Sequence, residues 1–336
     1  MPLLHERFPG VRESLPHIEL GWSPTPVRRL EILERRASGS AAIWLKDDGV
    51  FGGAWGGNKV RKLEWILPDV RRRRRRTILT VGALGTNHGL ATALYAREQG
   101  LQTVLALVDQ PIDDHVRGQF ARIERCGARV YRTHGALRTV ASLPRIYAVH
   151  TDWRRLRPPY FLTVGGSSAL GALGYVEAAL ELAGQIERGE LPAPAQVVVA
   201  LGSGGTAAGL VLGFALAGLD TRVVAVQVND RAPLNPGRVA RLAERSRRLL
   251  ERRGATLPAV RISPADVDVE MRWLGDGYGH RTAEADRAID IAREEGLNLE
   301  PVYTGKAMAA LLALRERGEL SDGPVLYWHT HNALAD

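Results

Sequence analysis

Cysteine, lysine and long apolar runs are scarce in this chain of 336 residues. Cys126 is the single cysteine, so no disulfide can form within the chain, and this predicts a reducing, cytoplasmic location. No run reaches the roughly 18 apolar residues of a membrane span, so we expect no association with a membrane. Residues 1–10 carry charges and a proline where a signal peptide would have an apolar segment, so we expect no signal peptide.

The basic charge comes almost entirely from arginine. Lysine and arginine together number 45, and the net charge is +8, which raises the question of nucleic-acid binding. The run Arg71–Arg76 has no interleaved aromatic residues, and no nucleic-acid motif occurs elsewhere, so we interpret it as a solvated helix end. A polyanion-binding patch is the alternative. The few lysines are Lys46, Lys59, Lys62 and Lys306.

Lys59 has an unusual setting among these lysines. It follows the glycine-rich stretch 49–57 and begins a predicted helix. An amine can form a Schiff base when its pKa is lowered, whereas the guanidinium of arginine stays protonated. The stretch therefore suggests a chemically active lysine, and the alternative is a solvated lysine in a first helical turn.

The order of apolar segments predicts an α/β protein with two mainly parallel sheets, because short strands alternate with helices. From 133 to 159 the pattern is weak and predicts no element. Strands are predicted at 41–46, 77–81, 102–107, 129–132, 160–164, 196–201, 221–228 and 324–328. Helices are predicted at 28–36, 59–70, 88–98, 116–125, 170–187, 236–253, 282–295 and 305–317, with another ending at 216.

The segment 202–206, Gly-Ser-Gly-Gly-Thr, lies between a buried strand and a helix. Glycines allow close approach of the backbone, and the helix start favours an anion such as phosphate. A tight turn without a ligand is the simpler alternative. A dinucleotide held with the help of Asp230 is another, but the glycine spacing fits it imperfectly and leaves Lys59 unexplained. A phosphate site together with a special lysine instead suggests pyridoxal 5'-phosphate.

Seven motifs give the chain a recognisable pattern. With them the chain resembles the 1-aminocyclopropane-1-carboxylate deaminase and D-cysteine desulfhydrase family of pyridoxal-phosphate enzymes. The resemblance implies fold type II, a larger cofactor-binding domain formed by 1–57 and 170–336, a smaller α/β domain at 58–169, an active site between them, and a homodimer. The motifs are SPTPVRRLE (23–31), WLKDDG (44–49), GGNKVRKLE (56–64), TNH (86–88), GGSSALGALGY (165–175), GSGGTAAGL (202–210) and EPVYTGKAM (300–308).

The resemblance also implies roles for individual residues. Lys59 should bind the cofactor's aldehyde and, once displaced by substrate, act as the base, whereas Lys62 should be a structural or surface partner. Asn87 should contact the ring hydroxyl and Thr304 the pyridine nitrogen. The phosphate should bind at Gly202, Ser203, Gly204, Gly205 and Thr206. Tyr278 and Tyr303 should flank a small amino-acid substrate, with Thr86, Asn87 and His88 near its carboxylate.

Three positions depart from the family pattern or divide it. Thr304 stands where ring-opening deaminases carry glutamate, and a neutral hydroxyl suffices when a good leaving group departs from the β-carbon. Thr86 replaces a serine. His331 follows the last strand where the family has glycine, so it is a candidate substrate contact or a surface histidine. We expect no metal site, because His329 and His331 have no third ligand nearby.

These features predict a lyase that performs α,β-elimination on a small β-substituted amino acid. D-cysteine, giving pyruvate, ammonia and sulfide, is the first candidate, and cysteate and β-chloroalanine are others. The alternatives are deamination of 1-aminocyclopropane-1-carboxylate to 2-oxobutanoate, a nicotinamide-dependent oxidoreductase, and a descendant that keeps the cofactor site without turnover.

Overall fold

The computed structural model describes residues 1–231 and 234–334, apart from the side chain of His115. Its strands form a six-stranded sheet in the order β1-β2-β10-β7-β8-β9 and a four-stranded sheet in the order β5-β4-β3-β6. The strands are β1 (Val27–Arg29), β2 (Ile43–Asp47), β3 (Thr77–Ala83), β4 (Gln102–Val108), β5 (Arg129–His134), β6 (Tyr160–Leu162), β7 (Gln196–Leu201), β8 (Arg222–Gln227), β9 (Val267–Glu270) and β10 (Val325–His329).

Helices cover the faces of both sheets, which confirms the predicted α/β class with two mainly parallel sheets. Among the strand pairs, only β1 with β2 is antiparallel within the described residues. The α-helices are α1 (Leu3–Arg7), α2 (Glu31–Arg36), α3 (Asn58–Arg72), α4 (Asn87–Glu98), α5 (Asp114–Arg125), α6 (Ala136–Val149), α7 (Leu173–Glu187), α8 (Gly205–Ala217), α9 (Pro236–Arg252), α10 (Ala283–Glu294) and α11 (Thr304–Glu316).

Strand β7 shows why the larger sheet is stable. All six of its residues are buried. Val197 and Val199 belong to one apolar cluster with residues of α7 and α8, whereas Val198 and Ala200 belong to a second cluster with residues of α11. Successive side chains point to opposite faces of a strand, so a continuous apolar run is what a sheet covered on both faces requires.

The four-stranded sheet is built from β3 to β6, all of which lie between 77 and 162. The six-stranded sheet takes β1 and β2 from the first 57 residues and its other strands from beyond 195. The division into 1–57 plus 170–336 and 58–169 stays a prediction. No helix in the described part of the chain is both long and apolar enough to cross a bilayer.

Four elements differ from the sequence prediction: α1 and β9 were not predicted, and the segments 136–149 and 28–36 were interpreted differently. Helix α6 occupies 136–149, where no element was predicted. The sequence pattern was unclear there because Leu137 and Val140 are apolar but exposed, which obscures the helical spacing of buried apolar residues. The predicted helix at 28–36 begins instead as strand β1, because pairing with β2 satisfies its backbone. The arginine run ends α3, and there Arg72 and Arg73 both donate to Asp69.

Candidate active site

A cavity of about 570 Å³ lies where strands of both sheets end. Its wall includes residues 81–83 at the end of β3, Val108 at the end of β4, 200–204 at and just after the end of β7, and 330–332 after β10. Ligands of parallel α/β proteins bind at this edge of the sheet. The cavity brings together all but one of the predicted site residues: Lys59, Thr86, Asn87, His88, Gly202, Ser203, Gly204, Thr206, Tyr278, Tyr303, Thr304 and His331 line it, and Gly205 does not.

Lys59 lies in the first turn of α3 and faces this cavity. Burial lowers the pKa of its amine to about 8, and the nearby Glu300 carboxylate opposes that shift. Within the described residues the amine makes no hydrogen bond. It is therefore a lysine that can be neutral near physiological pH and free to react with an aldehyde.

The glycines before Lys59 allow residues 330–332 to pack closely against this stretch, in addition to any space they leave for a flat ligand. A Cβ on Gly57 would lie 2.7 Å from the carbonyl oxygen of Thr330, and one on Gly49 would lie 2.7 Å from that of His331. Asn58 N donates to Thr330 O, and Gly56 N donates to the Asn332 side chain. His331, which departs from the family pattern, thus belongs to a segment that packs against residues 49–58, and it lines the cavity.

Segment 202–206 lies at the start of α8, where Gly204 has a φ of +87°. A Cβ on Gly202 would lie 2.9 Å from the Tyr303 ring, so only glycine leaves the space beside that ring. Ser167 donates or accepts across 2.7 Å with Ser203 and accepts from Gly205 N. The sequence did not single out Ser167; its motif GGSSALGALGY was the available signal.

Lys62 was predicted to be a structural or surface partner, and its burial excludes only the surface alternative. It is 1% exposed, lines the cavity, and donates to the carbonyl of Gly165. A Cβ on Gly205 would lie 3.1 Å from its amine, which places that amine beside the start of α8. Burial, and then Lys59, lower the pKa of Lys62 well below its usual value. An anion bound at segment 202–206 would offset the unfavourable free energy of burying the charged Lys62 amine.

The N-terminal end of α4 contains Thr86, Asn87 and His88, the residues predicted to lie near the substrate carboxylate. The Thr86 hydroxyl caps the helix by accepting from Gly89 N. His88 shares a 3.2 Å hydrogen bond with Thr80, and burial, then Lys59 and Lys62, lower its pKa well below the usual range. His88 is therefore neutral, and can contact a carboxylate only as a hydrogen-bond donor.

Asn87 is oriented by a residue that the sequence did not reveal. Gln119 in α5 is fully buried and donates to the Asn87 side-chain oxygen. This leaves the Asn87 amide nitrogen as a donor on the cavity side. A lone glutamine inside a helix gave no signal, because its contact with Asn87 exists only in the folded chain.

Two tyrosines form the opposite wall. Tyr303 donates to the Tyr278 hydroxyl across 2.8 Å, and their rings meet edge to face with centroids 5.9 Å apart. Burial raises the pKa of both phenols, that of Tyr303 to well above its usual value. Both tyrosines therefore stay protonated and act as hydrogen-bond donors at neutral pH.

Glu300 is a cavity-lining residue that the sequence prediction missed, although it begins the motif EPVYTGKAM. Its carboxylate accepts from the backbone N–H groups of Val302, Tyr303 and Thr304. The Thr304 hydroxyl accepts from Glu300 N and lies 3.3 Å from the Glu300 carboxylate. Thr304 is thus held by Glu300, with its side chain on the cavity.

These residues fit an aromatic aldehyde that carries a phosphate: an amine free to react, an amide donor, and a glycine loop beside a buried lysine. A family model for pyridoxal-phosphate-dependent enzymes matches residues 18–331. The chain belongs to this family. Membership establishes pyridoxal phosphate as the cofactor and replaces the nicotinamide alternative.

Individual relatives of this pyridoxal-phosphate enzyme narrow the comparison. A D-cysteine desulfhydrase of Salmonella paratyphi A is 35% identical over 100% of this chain and 98% of its own length. One of Salmonella schwarzengrund is 36% identical over the same shares. The crystal structure of a homologue of 1-aminocyclopropane-1-carboxylate (ACC) deaminase matches 99% of this chain and 95% of that chain, with 30% identity and a TM-score of 0.82.

A more distant structure shows only the shared fold. Threonine deaminase isoform 2 from Solanum lycopersicum matches with 12% identity and a TM-score of 0.63 over 99% of this chain and 85% of that chain. The predicted fold type II and the resemblance to the deaminase and desulfhydrase family are confirmed by these matches together.

Proposed function

We propose that this enzyme is a lyase that eliminates the β-substituent of a small amino acid, with D-cysteine as the first candidate substrate. The products would be pyruvate, ammonia and sulfide. The Lys59 amine carries the proposal, because it faces the cavity without a hydrogen bond and its pKa is lowered to about 8. The desulfhydrase relatives, which match over their full length, support the same chemistry.

Pyridoxal phosphate, when bound, withdraws electrons from the α-carbon and so makes its proton removable. The residues of this chain perform the remaining tasks. Segment 202–206 and Lys62 would hold the phosphate, Asn87 would donate to the ring hydroxyl, and Thr304 would contact the ring nitrogen. Lys59, once displaced, takes the α-proton, since a neutral amine is a general base.

The substrate is held between α4 and the tyrosine pair. Thr86, Asn87 and His88 bind its carboxylate at the helix start, where the backbone favours an anion. Tyr303, whose hydroxyl is hydrogen-bonded to that of Tyr278, orients the substrate and can donate a proton.

Ring opening of 1-aminocyclopropane-1-carboxylate is the second candidate, favoured by the structural match to a homologue of its deaminase. Thr304 argues against it, because a hydroxyl stabilises a protonated ring nitrogen less than a carboxylate does. The product distinguishes the two reactions: elimination gives pyruvate, and ring opening gives 2-oxobutanoate.

The test is to incubate purified holoenzyme with D- and L-cysteine, cysteate, β-chloroalanine and 1-aminocyclopropane-1-carboxylate and to identify the keto acid. Lys59→Ala should lose both the keto acid and the visible absorbance band of the lysine-bound cofactor. The matched surface variant Arg241→Gln should keep both. Absence of pyruvate from every β-substituted alanine would contradict elimination. Formation of 2-oxobutanoate from 1-aminocyclopropane-1-carboxylate would then support ring opening, and absence of any keto acid would leave a cofactor-binding protein without turnover.

We further propose a cytoplasmic homodimer. The support is the family resemblance and the single cysteine, Cys126, which is buried. Light scattering of the holoenzyme should give twice the chain mass, and a monomer mass at micromolar concentration would contradict the dimer.

A further inference from the structure

Arg231 is a charged cavity residue for which the proposed reaction has no task. It follows β8, lines the same cavity as Lys59, and its guanidinium lies 5.0 Å from the centre of the Tyr278 ring. Tyr278 in turn is bonded to Tyr303. A substituent on the β-carbon that reaches the tyrosine pair therefore meets a cation at the edge of the cavity.

The positive charge of Arg231 is not neutralised by a carboxylate. In residues 1–231 and 234–334 it forms no ion pair, and its Nη2 donates to the backbone oxygen of Asp109 across 3.1 Å. The Asp109 carboxylate is bound by His134 and Arg132, and that of Asp230 accepts from Tyr278 N. Neither of these two carboxylates forms an ion pair with Arg231 in the described residues.

The other charged groups of the cavity already have partners or tasks. Glu300 is the one acidic side chain among the described lining residues, and its carboxylate faces the backbone of α11. Lys59 and Lys62 serve the aldehyde and the phosphate in the proposed function. One permanent positive charge, that of Arg231, is left over for a ligand.

We propose that Arg231 makes the enzyme select amino acids whose β-substituent is an oxyanion, such as a sulfonate. The guanidinium presents several N–H donors in a plane, which suits an oxyanion better than a thiol or a halide. This inference rests on the proposed elimination and names its substrate class. It ranks cysteate above the uncharged analogues and above D-cysteine, which is the first candidate on family resemblance alone.

The reaction on such a substrate balances without an added oxidant or reductant. Lys59 takes the α-proton, the bond between the β-carbon and sulfur breaks, and the electron pair leaves with sulfur as sulfite. Water then hydrolyses the released aminoacrylate to pyruvate and ammonia. Arg231 stabilises the departing anion and takes no proton, because arginine stays protonated.

The test compares two substrates and three variants of the holoenzyme. We measure kcat/KM for cysteate and β-chloroalanine of the same stereochemistry in the wild type, Arg231→Gln, Arg231→Lys and the surface control Arg241→Gln. The selectivity for cysteate over β-chloroalanine should fall about tenfold or more in Arg231→Gln, since about 1.4 kcal/mol corresponds to tenfold. In Arg231→Lys this selectivity should fall less, and in Arg241→Gln it should equal that of the wild type.

Two results would overturn the inference. One is an equal loss of kcat/KM for both substrates in Arg231→Gln. This is expected if Arg231 only joins the two sides of the cleft or binds the α-carboxylate. The other is a wild type that converts β-chloroalanine and not cysteate. If no compound yields pyruvate, the proposed elimination fails. Arg231 is then tested separately by dissociation constants for cysteate and β-chloroalanine, measured from ligand-induced changes in cofactor absorbance. An unchanged preference for cysteate in Arg231→Gln would reject the role of Arg231.

Discussion

Lys59 and Lys62 stand three residues apart and have different surroundings. The Lys59 amine faces open space and the Glu300 carboxylate, whereas that of Lys62 lies beside Gly165 and the start of α8. Both amines have lowered pKa values because both are surrounded by protein. We propose that this difference in neighbours makes Lys59 the amine that binds the aldehyde and Lys62 the amine that binds the phosphate.

The first prediction concerns the pH at which Lys59 reacts. In protein freed of cofactor, the rate of pyridoxal phosphate binding to Lys59 should rise with pH and level off above about 8. The reason is that only the neutral amine attacks an aldehyde, and a lowered pKa makes this form dominant above pH 8. Stopped-flow absorbance measures the rate, and a rise that continues beyond pH 10 would contradict it.

Glu300→Gln provides the matched variant for this measurement. Glu300 raises the pKa of Lys59, so its removal should move the midpoint below that of the wild type. A midpoint displaced upward would show that Glu300 acts on Lys59 by another route.

The second prediction separates Lys62 from Lys59. Lys62→Met should weaken binding of pyridoxal phosphate about 10- to 100-fold, because a hydrogen bond to a charged group contributes about 1.5–3 kcal/mol. Binding of pyridoxal, which lacks the phosphate, should weaken much less. Titration of the cofactor-free protein with both compounds measures this, and equal losses would refute a phosphate contact.

Helix α3 is the element that positions both lysines, and a buried ionic cluster fixes it. Arg61, 1% exposed, forms ion pairs with Asp48 at 2.7 Å and Glu181 at 3.0 Å. Lys46 pairs with the same Glu181, and Tyr175 and Trp328 donate to Asp48. The cluster therefore ties α3 to β2, α7 and β10.

The third prediction tests this cluster. Arg61→Met should lower the free energy of unfolding by about 3–5 kcal/mol, because it leaves buried carboxylates without their cation. Urea denaturation of the holoenzyme measures the change. The control Arg117→Met removes an exposed partner of Asp114 and should leave the midpoint nearly unchanged. A similar midpoint for both variants would contradict the role of the cluster.

At the scale of the whole molecule, the carboxyl group of Glu177 binds the N-terminal segment to the apolar cluster around β7, α7 and α8. Glu177 in α7 accepts from the backbone N–H groups of Leu3 and Leu4, and Leu4 is fully buried in that cluster. Burial raises the pKa of Glu177 to about 7, while these two N–H groups, His17 and Arg61 act in the opposite direction.

The fourth prediction follows from that raised pKa. A group whose pKa is higher in the folded state stabilises the fold fully below its unfolded value, and this contribution is lost as pH rises through about 7. Glu177 should therefore contribute up to about 3 kcal/mol less at pH 8 than at pH 4. Denaturation midpoints of the wild type and Glu177→Gln, measured across this range, should differ in slope, and parallel curves would contradict the prediction.

The sequence by itself determined the fold class and pointed to Lys59 and segment 202–206, because these depend on local patterns, whereas Thr86, Asn87, His88 and Thr304 came from the family resemblance. The continuous apolar run of β7, the glycines of 202–206 and the motif around Lys59 each lie within a few neighbouring residues. Tyr278 and Tyr303 came from the family resemblance. Their roles stay predictions, although the cavity contains both.

Only the tertiary structure decided how these residues are partnered. Gln119 reaches Asn87 from another helix, Lys62 is buried beside α8, and the glycines before Lys59 meet the chain end at 330–332. Arg231 reaches the cavity from the end of β8 and contacts Asp109 beyond β4. Such contacts join segments far apart in the chain, so no local pattern encodes them, and the packing of the two sheets sets their distances.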